Sequence, residues 1–175
     1  MRAYKFLRKD GTTLLTGFKW PVGEWVEVDG PLAWCDNGIH ACRIEDLPHW
    51  LGQELWTMDV DGETLSTPDS IVARRARLVG RIDDWSGGVA QEFGESCARR
   101  ANALASGAPS ATGRAGDAAA DAAIGWISAA AYITAAIAGE VASGSRSGPL
   151  YQHYFLAERT RQSWWLQDRL SLSVG

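Results

Sequence analysis

The residues best suited to chemistry lie between Cys35 and Cys42, in the run Cys-Asp-Asn-Gly-Ile-His-Ala-Cys. Asn-Gly between two short apolar runs predicts a two-residue β-hairpin turn, which would place Cys35 opposite His40. Because side chains alternate along a strand, Cys42 would share a face with His40. Two thiolates and an imidazole suit tetrahedral zinc with one open position. Small cysteines are more often core residues, so we predict no metal and no cofactor. If zinc does bind, the predicted ligands are Cys35, His40 and Cys42.

His40 is the preferred catalytic residue because imidazole is the side chain that titrates near neutral pH. The chain has 3 histidines, so any chemistry that depends on histidine must use one of them. A carboxylate beside the ring would fix its tautomer and make it a general acid or base. We predict Asp36 and Glu45 as these partners, with Asp46 as a further candidate.

Tryptophan is the most unusual feature of the composition, with 9 residues in a chain of 175. Indole rings are large and amphipathic, and leucine and isoleucine would pack a small core more regularly. The excess therefore indicates an aromatic wall for an apolar or cationic ligand. An aromatic core with single exposed rings is the alternative. The predicted ligand-binding residues are Trp20, Trp34, Trp50, Trp56, Trp126 and Tyr132.

The first half of the chain carries the strand and turn signals. Val, Ile and aromatic residues alternate in short runs bounded by Gly, Asp and Pro, which is typical of an antiparallel sheet. A short helical turn is expected at residues 45–51 and a turn at Asp61-Gly62. The preferred interpretation of residues 71–82 is a strand because its β-branched residues favour that state. The other predicted strands are residues 4–7, 12–20, 25–28, 32–35, 39–42 and 54–60.

The second half is Ala-rich and predicts three helices, at residues 84–105, 117–138 and 149–170. Residues 122–138 carry no charge but are mostly alanine and fall short of the roughly 20 apolar residues that a membrane span requires. We therefore predict a buried helix there and no membrane interaction. The fold class expected is α+β: an N-terminal antiparallel sheet of five or six strands (1–82) packed on a C-terminal three-helix bundle (83–175), as one compact unit.

Composition and motifs exclude several classes of protein. Apolar residues make up 46% and charged residues 22%, which is typical of a globular chain rather than a disordered one. The net charge of -4 argues against nucleic-acid binding. The chain shows no phosphate-binding glycine loop, nucleophile elbow or zinc-protease motif. With 3 cysteines and no visible signal peptide, the expected location is the cytoplasm.

Two stretches resemble known groups of proteins. The run Gly38-Ile39-His40-Ala41-Cys42 and the flanking residues resemble actinobacterial and phage proteins with a Gly-(Ile or Phe)-His-Ala-Cys core. That resemblance covers roughly residues 1–80 and implies a shared fold unit but no reaction. The Ala-rich half, with its ending at residues 157–166, is weakly similar to small helical immunity proteins, which implies a protein partner.

The sequence thus predicts a small-molecule enzyme of the isomerase or cyclase type, with His40 as acid or base in a Trp-lined pocket and a largely apolar metabolite as substrate. The alternative is a protein-binding module of the inhibitor or immunity type, in which exposed aromatic residues contact a protein partner or a second copy of the chain.

Overall fold

The computed structural model describes residues 1–108 and 111–173 and shows an α+β protein with an antiparallel five-stranded sheet. The chain divides into two compact units, which are described separately below. The sheet unit comprises residues 1–86 with 170–175, and the helical unit comprises residues 87–169. The strands are β1 (Arg2–Leu7), β2 (Val26–Glu27), β3 (Ile39–Ala41), β4 (Glu54–Ser66) and β5 (Ile71–Arg81), with a 3₁₀ helix at Ile44–His49.

Strand β5 is the centre of the sheet. It pairs with β4 on one side and with both short strands, β2 and β3, on the other, while β1 pairs with β4. Strand β5 therefore confirms the strand predicted at residues 71–82, ending one residue earlier at Arg81, and its buried segment begins Ile-Val-Ala. The core beneath the sheet joins Ala3 and Leu7 to apolar residues of the other strands, chiefly Met58, Val60, Ala73 and Leu78, and to Trp20.

The turn predicted at Asp61-Gly62 is wrong, because β4 continues through it to Ser66. A register shift between Asp61 and Thr64 absorbs the glycine as a β-bulge, at which Gly62 has φ +76°. The carboxylates here face arginines of β5: Arg77 contacts Asp59 at 2.8 Å, Arg75 contacts Asp61 at 3.5 Å, and Arg74 contacts Glu63 at 2.6 Å. These carboxylates and arginines are thus cross-strand ion pairs between β4 and β5.

The hairpin predicted at Asn37-Gly38 is also wrong. The turn lies earlier in the chain, at Trp34, Cys35 and Asp36, where the backbone groups of Ala33 and Asn37 bond to each other. The Asn37 side-chain amide donates to the backbone oxygens of Asp29 and Pro31, so it ties down a loop instead of centring a turn. Strand β3 consequently pairs with β5, and Cys35 lies in the turn rather than opposite His40.

Residues 12–20, predicted as a strand, form an irregular loop. Only single bridges join it to the sheet and to itself, Leu7 to Thr13 and Thr12 to Lys19. The side chain of Leu15, at its tip, is 81% exposed. Gly11 and Gly17 both have positive φ, which bends the chain where a strand would need extended backbone.

A buried ion pair fixes the 3₁₀ helix to the residue before it. The Asp46 carboxylate, 1% exposed, accepts three hydrogen bonds from Arg43: from the backbone N–H and Nε at 2.8 Å, and from Nη2 at 2.9 Å. Arg43 also donates to Ser66 Oγ and to the Thr67 carbonyl, which links the helix to the end of β4. Glu45 reaches the same guanidinium at 3.3 Å but is largely exposed.

Replacing Asp46 by alanine should therefore lower the free energy of unfolding by about 2 kcal/mol, because the Arg43 donors lose a buried acceptor. Glu45→Ala is the matched control and should cost less than about 0.5 kcal/mol, since an exposed ion pair contributes little. Urea unfolding of the two variants measures this difference. Equal costs would contradict the assignment of Asp46 as the structural partner of Arg43.

In the helical unit, the described residues form four α-helices where the sequence predicted three. They are α1 (Gly87–Ala105), α2 (Thr112–Ala123), α3 (Ile127–Ser143) and α4 (Pro149–Arg169). The second predicted helix is divided in two because Gly125, at φ +83°, turns the chain between α2 and α3. Close packing of alanines joins α1, α2 and α3. None of the helices, over the residues described, is long and apolar enough to cross a membrane.

Candidate functional site

The sheet unit contains a cavity of about 390 Å³ whose wall is mostly apolar. The loop 12–20 supplies one part of this wall, and the segment from β2 to β3 supplies another. The 3₁₀ helix is followed by Trp50, which also lines the cavity. The lining side chains with polar or reactive groups are those of Lys5, Thr13, Thr16, Trp20, Cys35, Asp36, His40, Cys42, Trp50 and Ser70.

Lys5 is the least expected member of this wall, since it is a cation on the core-facing side of β1. Its cross-strand neighbour is Trp56, and its ammonium lies 5.4 Å from the ring centroid of Trp20. The ammonium donates to the His40 carbonyl oxygen at 2.5 Å. Burial lowers the pKa of Lys5 to about 8.

His40 lies on β3, half-buried, with its ring among the residues lining the cavity. Its ring centroid is 6.4 Å from that of Trp50, and Nδ1 makes a long contact of 3.4 Å with Ser70 Oγ. Burial, and secondarily the charge of Lys5, lowers the pKa of His40 below its usual 6.5, while Asp69 opposes this. The imidazole is therefore neutral at neutral pH and able to accept a proton.

Two hydroxyl groups, those of Ser70 and Thr67, lie beside the His40 ring. Ser70 Oγ lies 2.8 Å from Thr67 Oγ1, and both side chains are buried. The residue before Ser70, Asp69, accepts the Trp50 indole N–H through its backbone oxygen at 2.6 Å. One turn between β4 and β5 thus positions both His40 and Trp50.

The two cysteines of the predicted zinc site line the cavity without forming a metal centre. Cys42 is buried, and burial raises the pKa of its thiol to about 12, which keeps it protonated. Cys35 is exposed in its turn, with φ +61°. Among the residues that the structure describes, no group of three or more His, Cys, Asp or Glu side chains could hold a metal ion. The convergence of Cys35, His40 and Cys42 as ligands is therefore wrong, because it depended on the misplaced hairpin.

The structure separates the two predicted carboxylate partners of His40. Asp36 is exposed and contributes to the cavity wall. Glu45 is exposed on the 3₁₀ helix, beside Arg43, and does not contribute to the wall. The side chain that contacts the imidazole is that of Ser70.

Two of the six predicted ligand-binding residues, Trp20 and Trp50, line the cavity. Trp34, in the 34–36 turn, is 52% exposed, and Trp56 packs against the core with its N–H bonded to Glu54. Trp126 and Tyr132 belong to the helical unit and are largely exposed there.

Sequence reasoning missed Lys5 and Ser70. The Lys5 position carried a signal, because it lies between Ala3 and Leu7 on the alternating apolar face of a strand, where a charge is out of place. Ser70 carried none, since a serine between Asp69 and a strand is typical of an ordinary turn.

Comparison with known proteins relates the first half of the chain to a protein family. Residues 1–83 match a family model described as a domain of unknown function, DUF7666, which covers the sheet of this chain. The search of curated proteins and the search of solved structures gave no significant match.

Proposed function

We propose that the sheet unit binds a small, largely apolar molecule in its cavity and that His40 moves a proton on that molecule, as in an isomerase or cyclase. The observation that carries this proposal is a neutral, half-buried imidazole in the wall of a 390 Å³ cavity that is otherwise mostly apolar. Ligand sites commonly combine such a wall with a few polar groups.

The chemistry requires no redox partner. We assign the proton of the neutral ring to Nδ1, where Ser70 Oγ, 3.4 Å away, would accept it, which leaves the Nε2 lone pair as the base. Nε2 takes a proton from one carbon of the bound molecule, and the resulting imidazolium returns it to another carbon. The bond electrons stay on the substrate, so the product is an isomer. Trp20 and Trp50 restrict the orientation of the substrate during the transfer.

The experiment that tests this proposal follows proton exchange at carbon. The full-length protein is denatured to release any bound molecules, and these are returned to fresh native protein in D₂O. Mass spectrometry then measures deuterium incorporation. Incorporation that depends on native protein supports proton transfer, and unlabelled molecules would remove the catalytic part of the proposal.

Two further proposals rest on exposed side chains and on cysteines. Trp126 and Trp164 expose about two thirds of their surface, which supports a second candidate function in which the helical unit binds a protein partner or a second copy of the chain.

All three cysteines are free thiols, which supports our proposal of a cytoplasmic location.

A further inference from the structure

The cavity wall contains two side chains whose hydrogen-bond donors are not fully used, those of Trp20 and Lys5. Trp20 is 5% exposed, and within the part of the chain that the structure describes its indole N–H has no acceptor. The Lys5 ammonium has three N–H bonds and donates one of them, to the His40 carbonyl. No ion pair among residues 1–108 and 111–173 includes Lys5. Buried donors in proteins normally have partners, so the Trp20 N–H indicates that an acceptor is supplied from outside, and the Lys5 ammonium has N–H bonds left for the same acceptor.

The Lys5 and Trp20 side chains are neighbours, because the Lys5 ammonium lies over the Trp20 ring, 5.4 Å from its centroid. The indole face stabilises a cation but provides no counter-charge. A desolvated ammonium without an anion is unfavourable, and an anionic group placed between these donors would satisfy both. The remaining wall, with Leu14, Phe18 and Ile39, requires an apolar body on the same molecule.

We propose that the ligand of this cavity is a monocarboxylate with an apolar body, whose carboxylate pairs with Lys5 and accepts the Trp20 N–H. This inference deepens the proposed function and rests on it. A carboxylate has two oxygens and one charge, which matches one ammonium and one indole N–H. A phosphate would carry further oxygens and charge that the apolar wall cannot satisfy.

The groups around Lys5 give the carboxylate preference a pH dependence. Cys42, with a thiol pKa of about 12, and His40, with a pKa below 6.5, are both neutral between pH 7.5 and 9.5. Lys5, with a pKa of about 8, loses its charge across that interval, so the affinity for a carboxylate should fall as pH rises. The cavity wall also carries the exposed carboxylate of Asp36. The charged groups on the adjoining elements form ion pairs with one another: Glu54 with Arg81, and Glu45 and Asp46 with Arg43.

Calorimetric titration of the full chain with two probes of similar shape tests this inference. One probe is 2-naphthoate, and the other is the neutral 2-naphthalenemethanol. We expect the wild-type protein to bind the carboxylate about tenfold or more tightly than the alcohol at pH 7. At pH 9.5 this ratio of affinities should be about tenfold smaller. Lys5→Met keeps the apolar stem, and it should abolish the preference for the carboxylate without changing the affinity for the neutral probe. Trp20→Phe keeps a ring, removes the N–H and should reduce the preference several-fold.

Each outcome decides between the two claims. Loss of the preference in Lys5→Met, with unchanged binding of the neutral probe and an unchanged or higher melting temperature, supports the carboxylate assignment. Equal affinity for both probes in wild type and Lys5→Met overturns it and leaves the proposed cavity intact. Failure of both probes to bind the wild-type protein overturns the proposed function and this inference together. Trp20→Phe provides a second test if Lys5→Met does not fold.

Discussion

Replacing His40 by glutamine should lower the rate of deuterium incorporation at carbon at least about a hundredfold, the usual contribution of a general base. Glutamine has nearly the same length as histidine and can keep the contact with Ser70, but its amide cannot accept a proton at neutral pH. The effect should appear in kcat with little change in substrate affinity. The measurement is the initial rate of label incorporation by mass spectrometry.

The control for His40→Gln is His153→Gln, which removes an exposed imidazole from α4 in the helical unit and should leave the rate unchanged. A pH profile adds a second criterion. Because burial lowers the pKa of His40, the base stays deprotonated down to below pH 6.5, so the acid-side fall in kcat/KM should lie below that value. A rate in His40→Gln within threefold of wild type would exclude His40 as the base.

Replacing Gly38 by alanine should lower the free energy of unfolding by about 3 kcal/mol, from backbone strain and steric overlap acting together. Gly38 has φ +140°, a region that L side chains rarely adopt. A Cβ there would also lie 2.1 Å from Val72 Cγ1 and 3.3 Å from Leu32 Cδ2. Val72 is a stiff, fully buried β-branched residue on β5, so it cannot move aside cheaply.

Gly23→Ala separates the two causes. Gly23 also has positive φ, +81°, but a Cβ there would meet nothing within 4 Å, so only the strain of about 1 kcal/mol should remain. Urea unfolding followed by tryptophan fluorescence compares the two variants. A cost for Gly38→Ala no larger than that for Gly23→Ala would contradict the close approach of β3 to β5.

Local patterns predicted the regular parts of the fold well. The β-branched run of β5 and the periodic helices α1 and α4 lie within a few residues of their predicted bounds, because side-chain propensity and periodicity act within each segment. The division between α2 and α3 was missed, since Gly125 inside an apolar run costs a helix only about 1 kcal/mol by propensity alone.

The candidate site was predicted only in part, because its geometry depends on long-range pairing. His40, Trp20 and Trp50 were named from residue type, and all three line the cavity. The predicted hairpin, which would have aligned Cys35 with His40, does not form. Asn-Gly is a local signal, whereas the pairing of β3 with β5 buries Ile39 and Ala41 in the core.

The most direct test of the central claim, that the cavity on the sheet unit binds a small apolar molecule, uses the indole N–H resonances of the 9 tryptophans. Isotope-labelled full-length protein is titrated with 2-naphthalenemethanol and followed by ¹H–¹⁵N correlation spectra. The account predicts saturable shifts of Trp20 and Trp50, with Trp126 and Trp164 unchanged. Shifts of the exposed Trp126 and Trp164 alone, or no saturable shift of Trp20 and Trp50, would contradict it.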